Sequence, residues 1–201
     1  MLSRCPALRL DAGTRVAPGE LARASLLMVE DGVTAIATGP ERAGRPMTFG
    51  IFRSGDLLVP PREGERLAAL TAAVVTLLTP LVYRALLSRP GAAALVVDRL
   101  VDAVRDRQES LAQFGAVEHV NRVREKLIQL ARAHGRVASD GVRLDLPLTH
   151  ELIAQTTGSA RETVTAAIAE LRREGFLVRD GRSYRLTVPP ELLELRLAST
   201  A

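Results

Sequence analysis

Leu148-Thr149-His150-Glu151-Leu152-Ile153-Ala154-Gln155-Thr156-Thr157-Gly158-Ser159-Ala160-Arg161-Glu162-Thr163-Val164 is the stretch on which the reading of this chain turns. Thr149 to Thr156 has the pattern of a short helix with Thr149 at its N-cap, and Thr157-Gly158-Ser159 that of a tight turn. A longer helix follows from Ala160 to Arg173. Ala154 is small where two helices must cross closely, Gly158 stands where a turn needs positive φ, and Val164 falls where the second helix packs back, which together describe a helix-turn-helix. Ser159-Ala160-Arg161-Glu162 fits a capping box, the serine oxygen accepting from a first-turn amide while Glu162 reaches back.

Along the second helix Val164, Ala167, Ile168 and Leu171 make the inward stripe. Arg161, Glu162, Thr165, Ala166, Ala169 and Arg172 are left outside. A DNA major groove would meet the outer N-terminal turn. There arginine can bond bidentately to guanine, glutamate can accept from a cytosine amino group, and the helix N-terminus favours a phosphate. C-terminal to it, Phe176-Leu177-Val178-Arg179, a two-residue Asp180-Gly181 turn and Arg182 to Val188 predict a hairpin, the wing, with Arg179, Arg182 and Arg185 around its tip. A solvated hairpin with ordinary surface arginines is the plainer alternative.

N-terminal to it, a helix is expected from about Val117 to His134, ended by Gly135. Ser139-Asp140-Gly141 and Val142, Leu144 and Leu146 then predict a turn and a short strand. Further back, Val97, Val101, Val104, Gln108 and Leu111 recur at steps of four, three, four and three between Ala92 and Phe114. That is the seam of a short coiled coil, to be buried against a second copy or against the chain's own β domain. Gly115 is a plausible hinge. From Leu8 to Leu78, short strands are expected at Ser25 to Val29, Thr34 to Thr38, Met47 to Phe52 and Ala68 to Leu78, with turns at Asp31-Gly32, Gly39-Pro40, Gly44-Arg45-Pro46 and Ser54-Gly55-Asp56. The uncharged run Leu67 to Tyr83 is broken by Pro80, so it is read as a β segment and a short helix from Pro80 to Leu87 rather than a membrane span.

The 201 residues are 47% apolar and 25% charged, enough for one or two globular domains. The net charge of +4 is almost all arginine, Lys126 being the only lysine, which permits nucleic-acid binding without requiring it. Cys5 alone can form neither a disulfide within the chain nor a cysteine-rich metal site, and the expected setting is a reducing cytoplasm. His119, His134 and His150 lie too far apart for a metal pair on one helical face. No Gly-x-Ser-x-Gly elbow, phosphate-binding glycine loop or His-Glu-x-x-His is present, so no enzyme is expected.

Leu148 to Ala154, Gly158-Ser159-Ala160-Arg161-Glu162-Thr163-Val164 and Glu174-Gly175-Phe176-Leu177 resemble the cyclic-AMP receptor protein and fumarate–nitrate regulator (Crp/Fnr) family, with Asn121-Arg122 similar to the segment preceding them. The resemblance implies an α+β chain with three parts. These are a cupin-like β-roll sensor domain (1–90, a degenerate cyclic-nucleotide-binding fold), a dimerisation helix (91–115) and a C-terminal winged helix-turn-helix (116–201). It implies a homodimer on palindromic double-stranded DNA, RNA polymerase as a partner if the protein activates, and no membrane. The expected DNA-contacting residues are Thr149, Ser159, Arg161, Glu162, Thr163, Thr165, Arg172 and Arg182, with Arg161 and Glu162 as base readers.

Two departures stand out. Ala166 occupies a position where the best-known member looks to carry another arginine. In the sensor, Gly55-Asp56-Leu57-Leu58 runs into Val59-Pro60-Pro61 without the ribose-binding carboxylate, and in Gly64-Glu65-Arg66-Leu67-Ala68 only Arg66 is left as a weak candidate for cofactor binding. No cofactor and no dependence on cyclic AMP are expected. A protein-interaction adaptor with a vestigial winged helix is the competing reading.

Overall fold

A computed structural model describes residues 5–41, 43–112, 118–181 and 183–188, with side chains 106, 107 and 109–112 outside the description. The chain divides into two compact units, Met1–Gln108 and Glu109–Ala201.

The first unit holds two antiparallel four-stranded sheets. One has the order β1 (Ala7–Leu10), β8 (Ala73–Leu78), β3 (Leu26–Asp31), β6 (Leu57–Leu58); the other has β2 (Arg15–Val16), β7 (Glu65–Ala69), β4 (Val33–Thr38), β5 (Thr48–Arg53). The two-residue period of a strand divides the side chains of β3 between two cores. Leu27 and Val29 join Leu10, Val16, Ile36, Leu58, Leu67 and Val75 in a cluster drawn from both sheets. Leu26 and Met28 face the other way, into a second cluster with Leu78, Leu57, Val82, Leu86, Val96 and Leu100. Burial of such side chains stabilises the fold by about 1.5–3 kcal/mol each.

Helix α1 runs over Pro80–Leu87, as the proline at its first position predicts. The expected strand from Ala68 to Leu78 is instead two strands, β7 and β8, in different sheets. An unbroken apolar run cannot distinguish one long strand from two. At the crossing Thr71 Oγ1 accepts the Val33 N–H at 2.9 Å, and Gly32, at φ 79°, makes room for the chain, since a Cβ there would stand 2.1 Å from the Ala72 carbonyl oxygen. The short strands β1, β2 and β6 carry no alternation long enough to be seen in sequence.

Helix α2 (Pro90–Ala112) packs on its own sheet through buried Val96 and half-buried Leu100. The seam valines are not used for this: Val97, Val101 and Val104 are 52%, 41% and 56% exposed. Leu111 and Gly115 lie outside the described side chains. Among the described residues no helix is long and apolar enough to cross a membrane.

In the second unit α3 (His119–His134), α4 (His150–Thr157) and α5 (Arg161–Arg173) pack together beside an antiparallel sheet of order β11 (Leu177–Asp180), β12 (Ser183–Leu186), β10 (Gly141–Leu144), β9 (Arg136–Ala138). Val123, Leu127, Ile153, Val164, Leu171, Leu177 and Leu186 are essentially buried. Lys126 is buried too, its Nζ donating to Gln129 Oε1 at 2.6 Å. Gly135 ends α3 in extended backbone (φ −69°, ψ 154°), not in a left-handed turn. Glycine is needed there for space, since a Cβ would stand 2.4 Å from the Ala131 carbonyl oxygen and 2.5 Å from Val142 Cγ1.

Candidate nucleic-acid interface

Helix α4 begins as the sequence predicts, with the Thr149 hydroxyl accepting the Leu152 N–H at 3.0 Å. It ends at Gly158, which takes the left-handed conformation (φ 64°) and whose N–H closes on the Ala154 carbonyl. The next turn departs from the expected capping box. Ser159 is used in closing α4, its N–H donating to Ala154 O at 3.1 Å, and its side chain is buried with Oγ unpartnered among the described residues. The N-cap of α5 is therefore Ala160, with no side-chain cap, and Glu162 stands one position too early in the helix to complete a box.

On α5, Arg161, Glu162, Thr165, Ala166, Ala169 and Arg172 are exposed, Thr163 is half-buried, and Val164, Ala167, Ile168 and Leu171 are buried. Arg161 and Arg172 are eleven residues apart, so at 100° per residue they share one face, roughly 16 Å apart along the axis. Arg179, on β11, borders this face; it lines a concavity of about 450 Å³ with Arg172, and another of about 400 Å³ with Arg161 and Thr149.

Six of the described arginines of this unit fall into two sets. Arg143 is paired with Asp180, Arg185 Nη1 with Asp140 Oδ2 at 2.9 Å, and Arg124 with Glu174 at 2.6 Å beneath the Phe176 ring. Arg161, Arg172 and Arg179 have no carboxylate partner among the described residues. Two of these cations stand on a helix whose outer side otherwise carries Glu162, Thr165, Ala166 and Ala169, and with Arg179 beside them they give this face an excess of positive charge.

The wing is shifted by one residue from expectation. Asp180 still pairs with Ser183, so the ladder runs one residue further than expected, and Gly181 follows at φ 60°. Asp180 stays in the ladder because its carboxylate is held by Arg143 on β10. Arg185 is not at the tip but opposite Val178 and Arg143, tied to Asp140. Arg182 lies outside the described residues.

Sequence reasoning passed over three residues of the smaller concavity: His150, Tyr184 and, as a site residue, Arg179. His150 Nδ1 stands 2.9 Å from Thr165 Oγ1, whose hydroxyl lies 2.9 Å from the Arg161 carbonyl. With the threonine hydroxyl donating to that carbonyl, the bond to the imidazole is one that Nδ1 donates. Burial first, and then the Arg179 and Arg161 guanidinia, hold His150 below the usual histidine range. Burial pushes the Tyr184 phenol up, against the opposing effect of Arg179 and Arg172. The available signal was positional: His150 follows an N-cap threonine and Thr165 lies one turn beyond Arg161.

In the other unit, Arg66 on β7 is engaged bidentately by Glu41, Nη1 to Oε1 at 2.8 Å and Nη2 to Oε2 at 2.9 Å. A backbone hydrogen bond, and then Arg66, hold the Glu41 carboxyl below the carboxylate range. No group of three or more His, Cys, Asp or Glu suited to a metal occurs among the described residues.

Residues 121–195 match the model of the Crp-like helix-turn-helix domain. The chain is 31% identical over 99 residues to a CRP-like cAMP-activated global transcriptional regulator of Mycobacterium tuberculosis, covering 49% of this chain and 44% of that one, so the match spans less than half of that relative. It is 29% identical over 145 residues to a global nitrogen regulator of Synechocystis sp., covering 68% and 64%. Among solved structures, a CRP-family transcriptional regulator from Thermus thermophilus superposes with TM-score 0.64 at 27% identity over 93% of this chain and 94% of that one. A CooA variant from Carboxydothermus hydrogenoformans shares the fold, with TM-score 0.78 at 20% identity over 96% and 88%.

Proposed function

We propose, from the premise that this chain belongs to the Crp/Fnr family of transcriptional regulators, that it is a sequence-specific DNA-binding regulator acting as a homodimer on a palindromic site. The carrying observation is the set of unpaired arginines, Arg161, Arg172 and Arg179, on the exposed face of α5 and β11. Arg161 and Glu162, in the first turn of α5, are the base readers, because a helix laid in the major groove presents its N-terminal residues to base edges. Thr165, one turn on, is also on the groove side. Arg172, Arg179 and the α4 N-terminus at Thr149 take phosphates. Thr163 and Ser159 contribute through their placement: Ser159 is buried, so only its neighbourhood at the helix N-terminus can meet the backbone.

The uncovered valines of α2 support the dimer. Val97, Val101 and Val104 repeat at four and three residues and are left open by the chain's own β domain, so a second copy of the helix would bury them. Two recognition helices then address half-sites about 34 Å apart. The effector is a separate matter. The mycobacterial relative is named as cAMP-activated, but here the interior between the two sheets is occupied by Leu21, Leu27, Leu67 and Val75, and the Arg66 fork is taken by Glu41. We infer binding that does not depend on cyclic AMP, and RNA polymerase as a partner where binding activates.

Selection from random duplexes tests the reading. A palindromic motif bound by the dimer, with affinity unchanged by cyclic AMP, is expected. Recovery of no motif, with binding that does not distinguish it from bulk DNA, would favour the adaptor instead.

A further inference from the structure

We propose that His150 is a further phosphate ligand of this interface, loading a proton onto Nε2 when a phosphodiester enters the concavity it shares with Arg161 and Arg179. This rests on the duplex reading above and adds to it a proton taken up from solvent with each half-site.

The Thr165 hydroxyl donates to the Arg161 carbonyl and so accepts from His150, which assigns the Nδ1 proton to that bond. The chain of bonds therefore fixes the ring between α4 and the first turn of α5 and leaves Nε2 as the nitrogen able to change state. Unprotonated, Nε2 presents a lone pair, which repels a phosphate oxygen; protonated, it is a charged donor, and the Nδ1 bond to Thr165 is kept in both states.

The surroundings set the direction. Arg161 faces the ring from α5 and Arg179 from β11. Tyr184 reaches the concavity from β12 as a buried neutral phenol. One acid lines the concavity, Glu151, the next residue on α4, whose Oε1 accepts from Gln155 at 3.1 Å; Glu162 follows Arg161 on α5 and is exposed. With the concavity empty, burial and the two guanidinia favour the neutral ring. A phosphodiester there cancels that repulsion, so the proton binds with it. His150 and Arg161 are both the first residues of their helices, at positive dipole ends, where cations are disfavoured until an anion arrives.

The test uses the full chain and a labelled random-sequence duplex, since a phosphate contact does not depend on sequence. Affinity is measured by anisotropy at fixed ionic strength from about pH 8 to about pH 6, the range in which histidines titrate. One proton per subunit strengthens binding by at most about tenfold per pH unit per half-site. His150→Asn keeps an amide donor near the Nδ1 position but cannot take up a proton, and its pH slope should be shallower by about one proton per subunit, whatever its absolute affinity. The His150 imidazole resonance should titrate at higher pH when duplex is added. An Asn variant that keeps the wild-type slope, or an imidazole midpoint that does not move on binding, overturns the proposal while leaving the duplex reading intact. Wild-type protein that binds no duplex at any pH overturns both.

Discussion

Replacing Arg161 by alanine removes an exposed side chain at the first position of α5, without a carboxylate partner among the described residues. A cation at the positive end of a helix is disfavoured by about 0.3–1 kcal/mol, and alanine is at least as good a helix former as arginine. The melting temperature should thus hold or rise by roughly one to four degrees, given about 2–4 °C per kcal/mol for a chain of this size. Binding should move the other way. A lost bidentate guanine contact costs about 1–3 kcal/mol, or roughly 5- to 160-fold in affinity for the preferred duplex, with a much smaller loss on a scrambled one. Thermal denaturation followed by circular dichroism reads the first quantity, and competition anisotropy with the selected and scrambled duplexes reads the second. Stability and specific binding falling together would make Arg161 a structural residue. Undiminished discrimination between the two duplexes would mean that another edge of the second unit reads the bases.

Four further outcomes follow from the same geometry. Arg179→Ala should reduce the slope of log affinity against log salt by about 0.9 on every duplex, whereas Arg185→Ala, whose partner is Asp140, should leave that slope unchanged; equal effects would contradict the division into paired and unpaired arginines. Val101→Asp should convert a dimer to a monomer in sedimentation velocity, and a persisting dimer would take α2 out of the interface. Gly135→Ala should destabilise the protein by about 1–3 kcal/mol in urea titration because its Cβ meets Ala131 O and Val142, and an unchanged midpoint would contradict that contact. Because His150 is held below its ordinary value of 6.5, the unfolded chain takes up its proton first. That contribution to stability is present above about pH 6.5 and is lost as pH falls toward the folded-state value; a pH–stability profile no flatter in His150→Asn would count against it.

The helix-turn-helix was legible because its features constrain one another. Thr149, Ala154, Gly158 and Val164 each do in the structure what their positions imply, the first as a cap, the third at positive φ, the others by burial. Legibility failed where one residue could serve two neighbours. Ser159 can begin α5 or finish α4, and only the left-handed turn at Gly158 decides that its N–H goes to Ala154. Asp180-Gly181 and Gly181 with its successor are equally good two-residue turns by composition. The choice between them depends on Arg143, thirty-seven positions away in sequence, holding the Asp180 carboxylate within the ladder. The break between β7 and β8 was hidden because what accommodates it lies on another strand connection, in Gly32 and in the Val33 N–H that Thr71 Oγ1 accepts.

Net charge could not have located the interface, because the charges that matter are distinguished by their partners. Of the wing arginines, Arg143 and Arg185 are spent on Asp180 and Asp140, where they hold β10, β12 and the end of β11 in register. The same bonds keep those two cations from competing for an external phosphate. Among the described residues Arg179, within β11, is left with the Gly181 carbonyl at 3.2 Å. Lys126, the single lysine, is buried on α3 and contributes nothing to the outer face. Among the cations without a carboxylate partner, Arg161 and Arg172 with Thr165 between them make a short row on α5 and Arg179 stands beside it, with the inner side of α5 packed and the flank tied by the paired set. A flexible basic tail of equal charge would bind duplex with the same salt dependence but could not hold Arg161 in one orientation toward a base edge. On the proposed reading specificity rests also on the ion pairs that the interface does not use, and Asp180→Asn, which leaves Arg143 only the longer Asp145 pair without touching α5, should raise affinity for all duplexes while narrowing the gap between preferred and scrambled ones. A gap that stays the same width in the competition assay would separate the register of the wing from the orientation of α5.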